Sequence, residues 1–222
     1  MSIETVIQTI AVFAIPVLFA ISLHEAAHGY VARYFGDSTA ADQGRLSINP
    51  LRHIDPFGTI ILPLVLHLMT LPPIGYAKPV PVDYANLRNP KKQMAFVAAA
   101  GPMANFAMGF GWLLFSIALM AAGSNEAFFY KMAQAGISVN AAMCVFNLIP
   151  IPPLDGGRIM TGILPMSLAR PYASIERYSL FVFIGLIILM QMRALDGVLF
   201  AGIKFVVGIF MLLATPFTYL LS

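Results

Sequence analysis

The chain has 222 residues, of which 59% are hydrophobic and 10% charged, with a mean hydropathy of +0.81. A soluble domain usually carries about 25% charged residues, so the composition points to an integral membrane protein. The net charge of +3 is scattered over loops rather than gathered in a basic patch; neither a nucleic acid nor a nucleotide is expected as a partner.

The first apolar run predicts a helix over residues 4–34, with Pro16 inside it and Gly36-Asp37-Ser38 ending it. It is long, lacks a basic leader and runs straight into a histidine motif, so it is expected to be retained. At about 1.5 Å per residue it is ample to cross a hydrocarbon core of about 30 Å. Residues 39–92 form a polar and mixed region. Within it Arg45–Asn49 alternates and reads as a short strand. The apolar run Phe57–Leu71 is short for a span and reads as re-entrant. Tyr76–Tyr84 reads as an edge strand, because Pro79 and Pro81 cannot donate to a central ladder. Helices are then expected over 93–122 and 128–148. The second breaks at Asn147-Leu148-Ile149-Pro150-Ile151-Pro152-Pro153-Leu154-Asp155-Gly156-Gly157, where three prolines and two glycines forbid a regular helix. A short helix is expected from Arg158 to Leu164, and two more apolar helices over 175–192 and 198–221. Cys144, the single cysteine, excludes an intrachain disulfide and reads as a small buried hydrophobe. The fold class is therefore an all-α polytopic membrane protein in one domain, 1–222, with about five spanning helices, a re-entrant apolar segment and short β-strands near the active site.

Positive residues mark cytoplasmic loops. Arg33, Arg45, Arg52, Lys78, Arg88, Lys91, Lys92, Arg158, Arg170 and Arg177 fall on one side if Phe57–Leu71 enters and leaves by the same face. Five spans then give an outside N-terminus, a cytoplasmic C-terminus and a multi-pass protein of the cell membrane. The same assignment brings His24, His28 and Asp155 to the cytoplasmic side.

His24-Glu25-Ala26-Ala27-His28 carries the chemistry. Residues i and i+4 share a helix face, so both imidazoles can hold one Zn2+, while Glu25 is placed to take a proton from a water that the metal polarises. Ionisable groups inside a membrane helix are costly and mark function. A catalytic zinc takes three protein ligands and an open position, and residues 29–34 offer none. Among the ten acidic residues, Asp55 is a candidate and Asp155, at the broken helix, a better one. His53 and His67 read as interfacial or packing residues. Asn105 and Asn147 are either interhelical hydrogen-bond partners or groups that hold a substrate strand. Two rival readings are a membrane metal-ion transporter, against which no partner repeat appears, and an inactive relative that binds membrane helices, against which Glu25 is intact.

These residues carry a resemblance. With Gly101-Pro102-Met103-Ala104-Asn105 between the histidine motif and the Asn147–Gly157 stretch, the chain resembles the site-2 protease family of intramembrane zinc metalloproteases. The resemblance implies one Zn2+ held by His24, His28 and Asp155, with Glu25 as catalytic base and substrate contacts from Asn147 and Asn105. The implied partners are a transmembrane protein substrate and the lipid bilayer. No segment is long enough for a PDZ or CBS domain, so the minimal core type is expected. The Tyr76–Tyr84 strand is expected to pair with an unwound substrate.

Overall fold

In the computed structural model, residues 3–61, 65 and 78–219 are described. The long helices are α1 (Ile3–Tyr34), α3 (Pro90–Ala121), α4 (Ala127–Asn147) and α8 (Asp196–Tyr219). Shorter helices are α2 (Thr39–Asp42), α5 (Asp155–Ile163), α6 (Met166–Ala173) and α7 (Ser179–Gln191). Short 3₁₀ turns cover Pro50–Arg52, Tyr84–Asn86 and Ser174–Tyr178, and a π-helical turn covers Pro56–Ile61.

The helix ends follow from local chemistry. Pro90 opens α3 at a position whose N–H would be unpaired in any case. The backbone N–H of Asn89 donates to Gln93 Oε1 at 2.7 Å, so a side chain of the helix satisfies the N–H of its own N-cap. Gly36, at φ +116°, turns the chain out of α1 beside the Asn86 carbonyl, a conformation that favours glycine. The start of α5 packs on the proline-rich loop before it. A Cβ on Gly156 would lie 2.3 Å from the Leu148 carbonyl oxygen, and one on Gly157 would lie 2.3 Å from the Pro152 nitrogen. Only glycines allow that approach, which turns Asp155 back toward α1.

Helices α1, α3 and α4 pack on one another, and α8 covers α3 and α4. Phe210 of α8 is fully buried against Leu113, Ile117 and Ala141 and stacks edge-on to Phe106 at 4.9 Å. Alanines, among them Ala20, Ala98, Ala133 and Ala141, and a few polar residues fill much of the remaining interior, and Ala32, Leu87 and Val97 form a second apolar cluster. The large apolar residues point outward: Phe181 and Leu212 are each 72% exposed. That inside-out distribution suits a lipid surround rather than water.

Among the described residues, four stretches are long and apolar enough to cross a membrane: Ile7–Tyr34, Pro90–Ala121, Met166–Gln191 and Asp196–Thr218. The expected count of five spans is not reproduced by length and composition alone. Helix α4 is long enough, but Lys131, Gln134, Ser138 and Asn140 make it less apolar than these four. It is nonetheless aligned with α1: Gln8 and Val12 share a cleft with Lys131 and Ala135 at one end, and His24 meets Asp155 just beyond α4 at the other.

Two further expectations are corrected. No strand occurs among the described residues. Arg45–Asn49 has no ladder partner, and its Ser47 carbonyl accepts instead from His53 Nε2 at 2.7 Å. In Lys78–Asp83, Pro79 and Pro81 have no N–H, and the Val80 N–H goes to a side chain. The second correction is the position of the C-terminus. Gly202 of α8 packs on Val145, Phe210 on Phe106, and Phe217 on Phe110. Helix α8 thus runs parallel to α3, and its C-terminal end lies with the start of α1, away from the His24 end. The loop before it pairs Arg193 with Asp196 at 3.9 Å, so charge bias carries no orienting signal there. Most of the Phe57–Leu71 segment and residues 76–77 of the expected edge strand lie outside the described residues.

Candidate metal centre

Helix α1 presents His24 and His28 on one face, as their spacing predicts, with ring centroids 4.8 Å apart. Helix α5 delivers Asp155 from its first turn. His24 Nε2 lies 3.1 Å from Asp155 Oδ2, and His28 Nε2 lies 3.4 Å from Asp155 Oδ1. The two Nε2 atoms are 3.1 Å apart. His24 is 5% and Asp155 6% exposed, so water does little to separate these groups.

The outer nitrogens decide what this cluster is. His28 Nδ1 is 2.7 Å from the Val97 carbonyl oxygen, which can only accept, so His28 Nδ1 carries its proton. His24 Nδ1 is 2.6 Å from Asn105 Oδ1. The Asn105 amide is oriented by the Ala20 carbonyl, which takes a hydrogen bond from Nδ2 at 3.1 Å. Its oxygen therefore faces His24, and His24 Nδ1 is also the protonated nitrogen. Both neutral rings then turn lone pairs inward, toward each other and toward a carboxylate. The 3.1 Å approach of His24 to Asp155 is accordingly no hydrogen bond, and Asp155 Oδ2 is buried with no hydrogen-bond partner.

Three acceptor groups converging at these distances repel one another unless a cation sits at their centre. A proton serves one pair; a metal ion serves all three. The ligand atoms lie within 4.8 Å of one another. Tetrahedral zinc with bonds of about 2.0–2.1 Å places its ligands about 3.3 Å apart; the two Nε2 atoms are 3.1 Å apart, and each lies 3.1 to 3.4 Å from one or the other Asp155 oxygen. The donor set, two imidazoles and a carboxylate, suits zinc.

Gly101 of α3 closes the back of the cluster. A Cβ there would lie 2.5 Å from His28 Nε2 and 2.6 Å from His24 Nε2. The expected Gly101–Asn105 stretch thus lets α3 approach both rings and brings Asn105 to His24. Asn105 is 0% exposed, with its amide engaged by His24, Ala20 and Asn140. In this arrangement its side chain is a partner of His24.

On the open side lies a cavity of about 300 Å³, bordered by His24, Glu25, Val80, Tyr84, Asn147 and Arg158. Glu25 is partly buried, and its Oε2 accepts from the Val80 N–H at 3.0 Å. Asn147 lines the wall and donates to the Met143 carbonyl at 3.0 Å. Arg158 pairs with Glu176 at 2.5 Å and lies over the Tyr84 ring. Asp55, the other carboxylate considered, holds the Gly58 N–H at 2.7 Å and is not in the cluster. His53 is a buried packing residue. Val80, Arg158 and Asn140 were not singled out by the sequence reading. Of these, only Asn140 carried a signal there, as an amide within an apolar helix.

Comparison with known proteins is consistent with this geometry. A protein of Bacillus subtilis (strain 168) named "Putative zinc metalloprotease YwhC" is 35% identical over 179 residues, 78% of each chain. The chain belongs to peptidase family M50, the site-2 protease family. The model of that family, Peptidase family M50, matches residues 116–191. Proteins named "Putative zinc metalloprotease Rip2" from Mycolicibacterium smegmatis and Mycobacterium tuberculosis (strain H37Rv) are 27% and 26% identical over 77% and 81% of this chain. The chain spans 64% and 66% of those two relatives, less than two thirds of their length. No solved structure matches. As a member of M50, the chain is a multi-pass membrane metalloprotease with Zn2+ as its cofactor.

Proposed function

We propose that the protein is an intramembrane endopeptidase that hydrolyses peptide bonds of transmembrane or membrane-associated segments, with His24, His28 and Asp155 as the zinc ligands and Glu25 as the base. The observation that carries this reading is the convergence of three proton-free acceptors beside a carboxylate that is not one of them. Zinc bound there supplies Lewis-acid polarisation of a water and of the scissile carbonyl. Glu25, next to His24 on the open side, takes a proton from the attacking water. It returns that proton to the amine nitrogen as the C–N bond breaks, leaving a carboxyl and an amino terminus. Glu25 gives up its contact with the Val80 N–H to do so.

The approach path fits an extended substrate. Helical peptide bonds are shielded by their own hydrogen bonds, so a span must unwind before attack. The extended Lys78–Asp83 segment runs along the cavity and offers backbone groups for such a chain to pair with. Asn147, which also lines the cavity, is the side chain assigned to substrate contact. Its replacement by alanine is expected to lower kcat/KM while leaving zinc content unchanged. In this reading the bilayer is the cell membrane, and the site is assigned to the cytoplasmic face because Arg33, Arg88, Lys91 and Lys92 collect at the His24 end.

The test uses purified protein and a model transmembrane substrate. Glu25→Gln is expected to lower the cleavage rate by about 10²-fold or more while keeping zinc. Chelation is expected to abolish cleavage, and zinc to restore it. Cleavage by Glu25→Gln at the wild-type rate would overturn the role of Glu25. Cuts confined to flanking soluble residues would overturn the intramembrane reading.

A further inference from the structure

Behind His24 lies a polar chain that the proposed chemistry does not use. Asn105 and Asn140 are both 0% exposed, deep among α1, α3 and α4. Asn140 Nδ2 donates to the Gly136 carbonyl at 2.8 Å. Its Oδ1 accepts from Asn105 Nδ2 at 3.0 Å. The same Asn105 nitrogen donates to the Ala20 carbonyl at 3.1 Å, and Asn105 Oδ1 accepts from His24 Nδ1 at 2.6 Å.

The direction of this chain is fixed at its far end. Backbone carbonyls can only accept. Gly136 therefore orients the Asn140 amide, and Asn140 together with Ala20 orients the Asn105 amide. What reaches His24 is an oxygen. A simple interhelical bond would link α3 to α4 and stop there; this one continues to a ligand ring and dictates which nitrogen holds the proton. Gly109 leaves space beside it: a Cβ there would lie 3.3 Å from the Asn140 Cβ.

We propose that Asn140 is a positioning residue for the zinc site, acting through Asn105 to hold the His24 ring in the Nδ1–H tautomer with Nε2 turned to the metal. Asn140 touches neither the ligand cluster nor the cavity. Its effect passes through two hydrogen bonds, from Asn140 to Asn105 and from Asn105 to His24. The proposal rests on the reading of His24, His28 and Asp155 as the zinc ligands.

Outer hydrogen-bond partners of metal-binding histidines typically govern metal affinity by about 10- to 100-fold. Asn140→Leu, close in volume but without polar atoms, is expected to weaken zinc binding at least about tenfold in chelator competition on the purified apoprotein. The visible bands of the Co2+-loaded form are expected to shift, because the ring loses its fixed orientation. Asn140→Asp keeps an oxygen toward Asn105 and is expected to recover part of the affinity. A role in packing alone would lower the melting temperature of the apoprotein and leave affinity and spectrum at wild-type values; that result overturns the proposal. His28→Ala and Asp155→Asn separate the two levels. If they bind zinc like the wild type, the ligand assignment fails. If they lose zinc while Asn140→Leu keeps it, only the positioning role fails. Should Asn140→Leu not fold, ¹⁵N-histidine NMR of the wild-type apoprotein decides: a His24 Nδ1–H resonance is expected, and an Nε2–H resonance with a bare Nδ1 overturns the proposal.

Discussion

Gly101 is the residue on which the geometry of the centre is least forgiving. Alanine is the better helix former by about 1 kcal/mol, so Gly101→Ala would stabilise α3 as an isolated helix. In this fold the added carbon falls 2.5 to 2.6 Å from ring atoms of both histidines. The expected outcome is a folded protein with unchanged helical circular dichroism and at least about tenfold weaker zinc binding, the scale on which ring-orienting contacts act. Wild-type zinc content per chain in Gly101→Ala would contradict it. At this scale much of the site was legible in the sequence. The i, i+4 spacing of His24 and His28 is a statement about helix geometry, and Asp155 stood out because prolines and glycines surround it. The role of Asn105 was less legible. An asparagine in an apolar helix is either a substrate contact or an internal partner, and only burial separates the two. Asn140 carried the same kind of signal, but no motif drew attention to it.

At the scale of elements, the Lys78–Asn86 segment borders the site without belonging to a regular element, and buried Asp37 ties it down. Asp37 accepts from the Thr39 hydroxyl, from the Thr39 N–H at 3.1 Å, from the Asp83 N–H at 2.8 Å and from Asn86 Nδ2 at 3.2 Å. Burial alone would push its carboxyl upward; those donors outweigh it and hold it below the ordinary value of 3.8. A depressed folded-state value stabilises the fold above the unfolded value, and that stability is lost as pH falls through the folded one. The melting temperature in detergent is therefore expected to drop as pH falls below about 4. Asp37→Asn is expected to flatten that acid limb and to lower stability at neutral pH by about 1–3 kcal/mol, since the amide accepts at one oxygen only. An unchanged acid limb in Asp37→Asn would show that Asp37 is not the group responsible. Sequence periodicity misread this region because alternation signals exposure on two sides rather than a ladder. The Val80 N–H finds Glu25 instead of a strand, and the Ser47 carbonyl finds His53.

At the scale of the molecule, the bundle keeps polar groups and small residues inside and large apolar ones outside. The sequence made that class plain through its composition. It misjudged the direction of α8, because the loop at Arg193 and Asp196 is electrically balanced and positive-residue counting has nothing to act on. Packing set the direction, with Gly202 on Val145 and Phe217 on Phe110. Single cysteines at Glu4, Ser124 and Thr218, in a Cys144→Ala background, are expected to label from one face of sealed vesicles. Those at Arg45, Arg88 and Ser174 are expected to label from the other. Labelling of position 218 together with position 88 would restore the C-terminus to the site's side and contradict the packing of α8.

The central claim is that one zinc ion is held by His24, His28 and Asp155. X-ray absorption at the zinc K-edge, on zinc-loaded Glu25→Gln protein, addresses it most directly. Two imidazole ligands per zinc are expected, with nitrogen and oxygen neighbours at about 2.0–2.2 Å, and a loss of bound zinc in Asp155→Asn. A sulfur neighbour, a single imidazole, or an unchanged spectrum in Asp155→Asn would contradict it.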